Sequence, residues 1–219
     1  FENTVRSKAD VDKLPKEIDV AERLGYVTEA IKVTKRELNG RVPLIGFAGA
    51  PWTIFCYMTE GQGSKTFSQA KRILYSNPEL AHELLDRITN VTITYLKHQI
   101  AAGADIVQVF DSWAGTLGPK TYSEFGTKYV RRICEAIQEV PVTVFSKGAY
   151  YAREELAELD CQTIGLDWNM DIAESRQIIG MDKTLQGNLD PCLLYADFNT
   201  IERKTKNLLK SFGNRRHIA

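Results

Sequence analysis

The sequence predicts an α/β fold in which parallel strands alternate with helices as a barrel, carried by one domain over residues 1–219. Three observations carry that reading. Short apolar runs alternate with longer helical patterns, no glycine-rich nucleotide turn follows the first run, and small, aromatic and polar residues collect after every run. Repeated strand–helix–strand order implies parallel strands joined by right-handed crossovers.

The elements follow in chain order. Residues 20–38 place Leu24, Val27, Ile31 and Leu38 near one face, at helical spacing. The run 42–47 is the first strand. Pro78 opens a long helix to about residue 102, because the N–H that proline lacks has no intrahelical partner in a first turn. Asn77, just before it, suits the cap. The run 104–110 is the second strand, and Pro119, preceded by Gly118, opens a helix through about residue 137. Strands at 140–145, 162–167 and 183–188 alternate with shorter helices at 152–159, 172–179 and 198–209. A sixth strand begins at 217–219. The length and β-branched content of these runs suit strands buried on both faces.

An open, doubly wound sheet that binds a nucleotide requires a glycine-rich turn after its first strand. The one candidate, Gly46-Phe47-Ala48-Gly49-Ala50-Pro51, fits neither the dinucleotide nor the phosphate-loop pattern. A barrel instead spreads its functional residues over the C-terminal ends of many strands. That is the pattern here: Phe47 to Trp52, Phe110 to Gly115, Phe145 to Gly148, Asp167 to Asn169 and Gln186 to Pro191 each follow a run.

Composition narrows the class. Lys plus Arg is 28 and Asp plus Glu is 28, so the formal charge is zero and no basic field argues for nucleic acid or an anionic membrane. The chain is 43% hydrophobic and 26% charged, ordinary for a soluble protein. The apolar runs are too short to span a bilayer. Phe1-Glu2-Asn3-Thr4 shows neither an initiating Met nor a signal-peptide pattern, so a trimmed or incompletely represented cytoplasmic chain is expected. Cys56, Cys134, Cys161 and Cys192 are dispersed, without CxxC or histidines at ligand spacing. Reduced thiols are expected, and neither a metal site nor a disulfide framework. Cys56 lies near the interesting residues and equally suits wall packing.

Three blocks of the sequence now stand out. Pro43-Leu44-Ile45-Gly46-Phe47-Ala48-Gly49-Ala50-Pro51-Trp52-Thr53, extended by Tyr57-Met58-Thr59-Glu60-Gly61, resembles one stretch of the uroporphyrinogen decarboxylase family. Gly165-Leu166-Asp167-Trp168 and Thr184-Leu185-Gln186-Gly187-Asn188-Leu189-Asp190-Pro191 resemble two more, in the family's order. The resemblance runs from about residue 24 to 219. It implies a partial (β/α)₈ TIM-type barrel, here about strands three to seven plus the start of strand eight. It also implies an enzyme of haem biosynthesis, a homodimer when complete, that removes the acetate carboxyl groups of uroporphyrinogen III to give coproporphyrinogen III. The family's arginine loop and central aspartate belong to strands one and two. Its histidine follows strand eight, so His217 is not its counterpart.

The resemblance carries Tyr57 and Ser112 over as substrate-binding residues, Tyr57 also as a candidate catalytic group, with Phe47 and Phe110 as walls of the tetrapyrrole pocket. The chemistry fits the residue types. A large apolar macrocycle bearing carboxylates requires apolar walls and polar groups at the rim. The Tyr57 hydroxyl suits holding or protonating near a reacting acetate; packing in the core with its hydroxyl satisfied is the plainer role. Ser112 suits a carboxylate oxygen or the cap of the following turn. Asp111 and Asp167 are possible auxiliaries or ordinary strand-end acceptors, and Lys147 is a substrate contact or a solvated loop lysine. Tyr57, Ser112, Asp167 and Asn188 are expected to face one mouth. No cofactor is expected, because protonation of the pyrrole α-carbon gives a cation that accepts the electrons left by departing CO₂. Two other readings predict different features. A corrinoid or coenzyme M methyltransferase of the same superfamily binds zinc through an HxC motif, absent around His82, His98 and His217. A non-enzymatic barrel-derived binding protein predicts no ordered polar pocket.

Overall fold

A computed structural model of the chain describes residues 3–15 and 18–219; Phe1 and Glu2, the beginning of the sequence, lie outside that range. Two helices lead in, α1 (Lys8–Lys13) and α2 (Val20–Leu38), the second kinked at Leu24. Then come β1 (Ile45–Gly49), α3 (Pro51–Glu60), α4 (Ser68–Ser76) and α5 (Pro78–Ala101). After β2 (Ile106–Asp111) lie α6 (Pro119–Tyr122), a π-helical turn at Ser123–Thr127, and α7 (Lys128–Ala136). The rest is β3 (Val142–Ser146), α8 (Arg153–Ala157), β4 (Thr163–Gly165), α9 (Ile172–Ile179), β5 (Thr184–Gln186), α10 (Phe198–Phe212) and β6 (His217–Ile218).

The six strands among the described residues form one parallel sheet in the order β1-β2-β3-β4-β5-β6. Sequential parallel order with helical crossovers is the arrangement of a (β/α)₈ barrel opened along one side, hence a partial barrel. Strand alternation gives the sheet two unlike faces. Ala48, Val107, Val109, Val142, Val144, Ile164 and Leu185 are buried on the face that meets the helices. Leu84, Leu85, Ile88 and Leu96 of α5 and Tyr129, Val130 and Ile133 of α7 complete that layer. Each such side chain contributes about 1.5–3 kcal/mol by leaving water.

The long helix begins as its proline requires. Asn77 accepts a hydrogen bond from the Leu80 N–H, and Leu80, Leu84, Ile88, Thr92, Leu96 and Gln99 turn a continuous stripe inward. Gln99 has a second task. Its side-chain amide accepts from Phe47 N at 2.9 Å and donates to Phe47 O at 2.8 Å. Both backbone groups lie on the edge of β1 away from β2, so at that residue the edge is paired by a side chain.

Two expectations change. Residues 119–137 form two α-helices with a π-helical turn between them, where one continuous helix was expected. A Cβ on Gly126 would stand 2.3 Å from the Tyr122 ring, so the ring occupies the space a tighter turn would fill. The shorter helix expected over 152–159 begins as a 3₁₀ turn at Tyr150–Ala152. Among the described residues, no helix is long and apolar enough to cross a membrane.

Candidate active site

The sheet face turned away from the helices carries an aromatic row at the C-terminal ends of the first three strands. Phe47, Phe110 and Phe145 stand on β1, β2 and β3. The Phe47 and Phe110 rings meet edge to face with centroids 5.9 Å apart, and Phe110 and Phe145 do so at 6.3 Å. Phe47 is 61% exposed. Gly165 on β4 makes room for Phe145, since a Cβ there would lie 2.9 Å from the ring. The result is an apolar shelf open on one side.

Tyr57 and Ser112 lie at the same end. Tyr57 is half-buried on α3, its ring edge-on to Trp113 at 6.1 Å and to Phe67 at 6.5 Å. Ser112 directly follows β2 and precedes Trp113, so both hydroxyl-bearing residues adjoin one indole. Among the described residues neither hydroxyl has a hydrogen-bond partner. The turn after Ser112, Ala114–Thr116, has no side-chain cap. These are two half-exposed donors with unspent capacity.

Behind them sits a buried polar cluster. Asp111, at the end of β2, accepts from Thr53 Oγ1 at 2.7 Å and from the Tyr122 hydroxyl at 3.0 Å. The Tyr122 hydroxyl also lies 2.8 Å from Ser146 Oγ, at the end of β3. Thr53 Oγ1 in turn accepts from Trp113 N at 3.3 Å, and Trp113 O accepts from Trp52 Nε1 at 3.1 Å. Burial pushes the Asp111 carboxyl up from an ordinary 3.8 to about 6, although Thr53, Tyr122 and the Trp113 amide favour the carboxylate. Burial, followed by the Asp111 charge, raises the Tyr122 phenol well above its usual range.

The other sequence candidates take backbone roles. Asp167 accepts from Gly148 N at 2.8 Å and Trp168 N at 3.0 Å. Asn188 donates to Asp167 O and Met170 O, both at 2.8 Å. Both lie at the expected end of their strands, the end that carries Tyr57 and Ser112, and their side chains are engaged in tying loops together there. Such buried polar groups are held because leaving them unpaired is costly. Lys147 is exposed just beyond β3. Cys56 is fully buried in the α3 core, where burial raises its thiol. Phe145, Thr53 and Tyr122 were not singled out as site residues by the sequence. Phe145 had a signal, since Val144-Phe145-Ser146 ends its run as Val109-Phe110-Asp111 does. Tyr122 had none, because its hydroxyl meets Asp111 only once α6 packs on the end of β2.

A cleft of about 600 Å³ lies elsewhere at the same end. Trp168, Asn188, Leu193 and Lys204 line it; Tyr57 and Ser112 do not. An aromatic shelf on an open sheet encloses no volume, so cavity size does not locate this chemistry.

Comparison with known proteins places the geometry in context. The sequence profile described as "Uroporphyrinogen decarboxylase (URO-D)" matches residues 1–219. The chain is 51% identical over 202 residues to a uroporphyrinogen decarboxylase of Christiangramia forsetii, covering 92% of this chain and 59% of that protein. It is 45% identical over 228 residues to one from Ovis aries, covering 100% of this chain and 62% of that protein. The chain therefore spans about three fifths of the length of these curated relatives. Among solved structures, a methyltransferase from Methanosarcina mazei superposes with a TM-score of 0.81 at 18% identity, over 92% of this chain and 60% of that one. At that identity the likeness concerns the fold.

Proposed function

The chain belongs to the uroporphyrinogen decarboxylase family, and from that premise we propose that its parent protein removes the acetate carboxyl groups of uroporphyrinogen III to give coproporphyrinogen III. The observation that carries the proposal is the Phe47–Phe110–Phe145 shelf with the hydroxyls of Tyr57 and Ser112, unpaired among the described residues, at the same end. The macrocycle lies on the shelf, and the two hydroxyls meet its carboxylates at the rim. In each turnover a proton adds to the pyrrole α-carbon and the C–C bond to one carboxylate breaks. CO₂ leaves, and its bonding pair neutralises the ring cation as an exocyclic methylene; a proton then adds to that carbon and the α-carbon proton is lost, which leaves a methyl group and restores the pyrrole. Tyr57 orients the reacting acetate and stabilises charge as the bond breaks, and Ser112 holds a neighbouring carboxylate. The groups that neutralise the remaining carboxylates and face the pyrrole nitrogens belong to the part of the relatives that this chain does not span.

The reading takes residues 1–219 as one domain of a cofactor-independent lyase, a homodimer in the cytoplasm. Its zero formal charge supports a small-molecule substrate over nucleic acid. The test is direct: incubate the full-length protein anaerobically with uroporphyrinogen III and separate the products. Stepwise accumulation of coproporphyrinogen is expected; unchanged substrate sinks the proposal.

A further inference from the structure

We propose that Asp111 is a positioning residue, which through Thr53 and Tyr122 fixes the strand-end loop that presents Ser112 and seats Trp113 against Tyr57. The inference deepens the decarboxylase reading and rests on it for its consequence in turnover. Asp111 sits where four elements meet: β2 itself, α3 through Thr53, α6 through Tyr122, and β3 through Ser146 beyond the Tyr122 hydroxyl. Ser112 is the next residue, and the one after it, Trp113, is tied back to Thr53 through its N–H. Ser112 is thus held from both sides while its own hydroxyl stays unspent.

The cluster is costly to build. A fully buried carboxylate with hydroxyl partners and no cation is a poor way to stabilise a fold, and Asp111 forms no ion pair among the described residues. The titratable groups facing it are Cys56 of α3, Tyr122 of α6 and Tyr151 of the turn after β3. All three are raised by burial, with the Asp111 charge adding to it. None titrates near neutrality, so a transition near pH 6 in this loop reports Asp111. The ionised carboxylate accepts both hydroxyls. Protonation turns one oxygen into a donor, so Tyr122 or Thr53 must release or rotate and the loop loses its fixed geometry.

The full-length protein supplies the experiment. The Ser112 and Trp113 amide resonances are followed against pH without substrate, in wild type, Asp111→Asn and Tyr122→Phe, and kcat against pH is measured with uroporphyrinogen III. Wild type is expected to titrate at Ser112 near pH 6 and to lose turnover below it. Asp111→Asn abolishes that titration and lowers kcat by about ten- to a hundred-fold, the scale of a displaced reacting group, with a flat low-pH limb. If Asp111→Asn does not fold, Tyr122→Phe decides. It removes a bond that favours the carboxylate, so the Ser112 midpoint moves to higher pH. A Ser112 resonance indifferent to pH, a titration that survives in Asp111→Asn, or an unmoved midpoint in Tyr122→Phe overturns the inference. Wild-type kcat in a folded Asp111→Asn does so too. Absence of coproporphyrinogen from wild type fells the decarboxylase reading instead, and the substrate-free titration still decides Asp111's role.

Discussion

Tyr57 and Asp111 show how differently two polar side chains of one site are held. Tyr57 rests edge-on against Trp113 and Phe67 through its ring, and no protein group among the described residues takes its hydroxyl. Tyr57→Phe therefore keeps every ring contact and removes only the donor. The expected result is an unchanged melting temperature and a turnover lower by roughly ten- to a thousand-fold; steady-state kinetics at the wild-type level would reduce Tyr57 to wall packing. Asp111 is the opposite case, fully buried with both oxygens engaged. Its carboxyl titrates near 3.8 when unfolded and near 6 when folded. Between those pH values the folded state holds more protons, so the contribution of Asp111 to stability falls as pH rises. Above about pH 6 the full cost is present, on the order of 2–3 kcal/mol. Asp111→Asn escapes that cost. Its stability relative to wild type should rise from pH 4 to 6 and stay level above. Urea unfolding at pH 4.5 and 7.5 checks this, and an equal difference at both would contradict the burial argument.

Among the elements, the interrupted helix after Pro119 matters most for the site. Its π-helical turn, Ser123–Thr127, leaves space for the Tyr122 ring beside Gly126. Such turns interrupt helices where a side chain has to be placed. Gly126→Ala would drive a methyl into that ring, so either the turn or the ring moves. The expected cost is about 1–3 kcal/mol of stability, as for other overpacked sites, measured by denaturant unfolding. Tyr122 fluorescence or chemical shift should change with it, and a variant as stable as wild type would show that the turn repacks freely. The capped start of α5 is an ordinary counterpart: Asn77→Ala should cost about 1 kcal/mol through the Leu80 N–H alone.

For the molecule as a whole, the open side of the sheet governs the outcome. Six strands leave Ile45 and Phe47 facing solvent on the sheet face away from the helices, and β1 and β6 at the sheet margins. Exposed margins invite pairing with other chains, although Gln99 takes both edge groups of Phe47. Charged groups that neutralise substrate carboxylates are worth several kcal/mol each in the transition state, and the proposed function places them in the part of the relatives that this chain does not span. The 219-residue polypeptide by itself should form no coproporphyrinogen beside an active full-length protein. Comparable product from both would place the essential groups within these residues.

The strands were legible as short apolar, β-branched runs, although burial on both faces does not hold for β1, where Ile45 and Phe47 face solvent. Their order followed from short connections and crossover handedness, and Pro78 with Asn77 marked the start of α5. The helices α3 and α4 were not anticipated, although Tyr57 on α3 was singled out. The family resemblance singled out Tyr57, Ser112, Phe47 and Phe110 as candidates, Tyr57 within one of its blocks and Ser112 just after a strand. What the sequence by itself determined is thus the alternating pattern and the strand ends where chemistry collects. The tertiary structure alone decided which polar groups are spent. Asp167 and Asn188 turn to backbone partners, Asp111 gathers Thr53 and Tyr122, and Tyr57 and Ser112 keep their hydroxyls unpaired among the described residues. The physical reason is that hydrogen-bond satisfaction depends on atoms brought together from distant elements, and burial sets its cost only once the chain has folded.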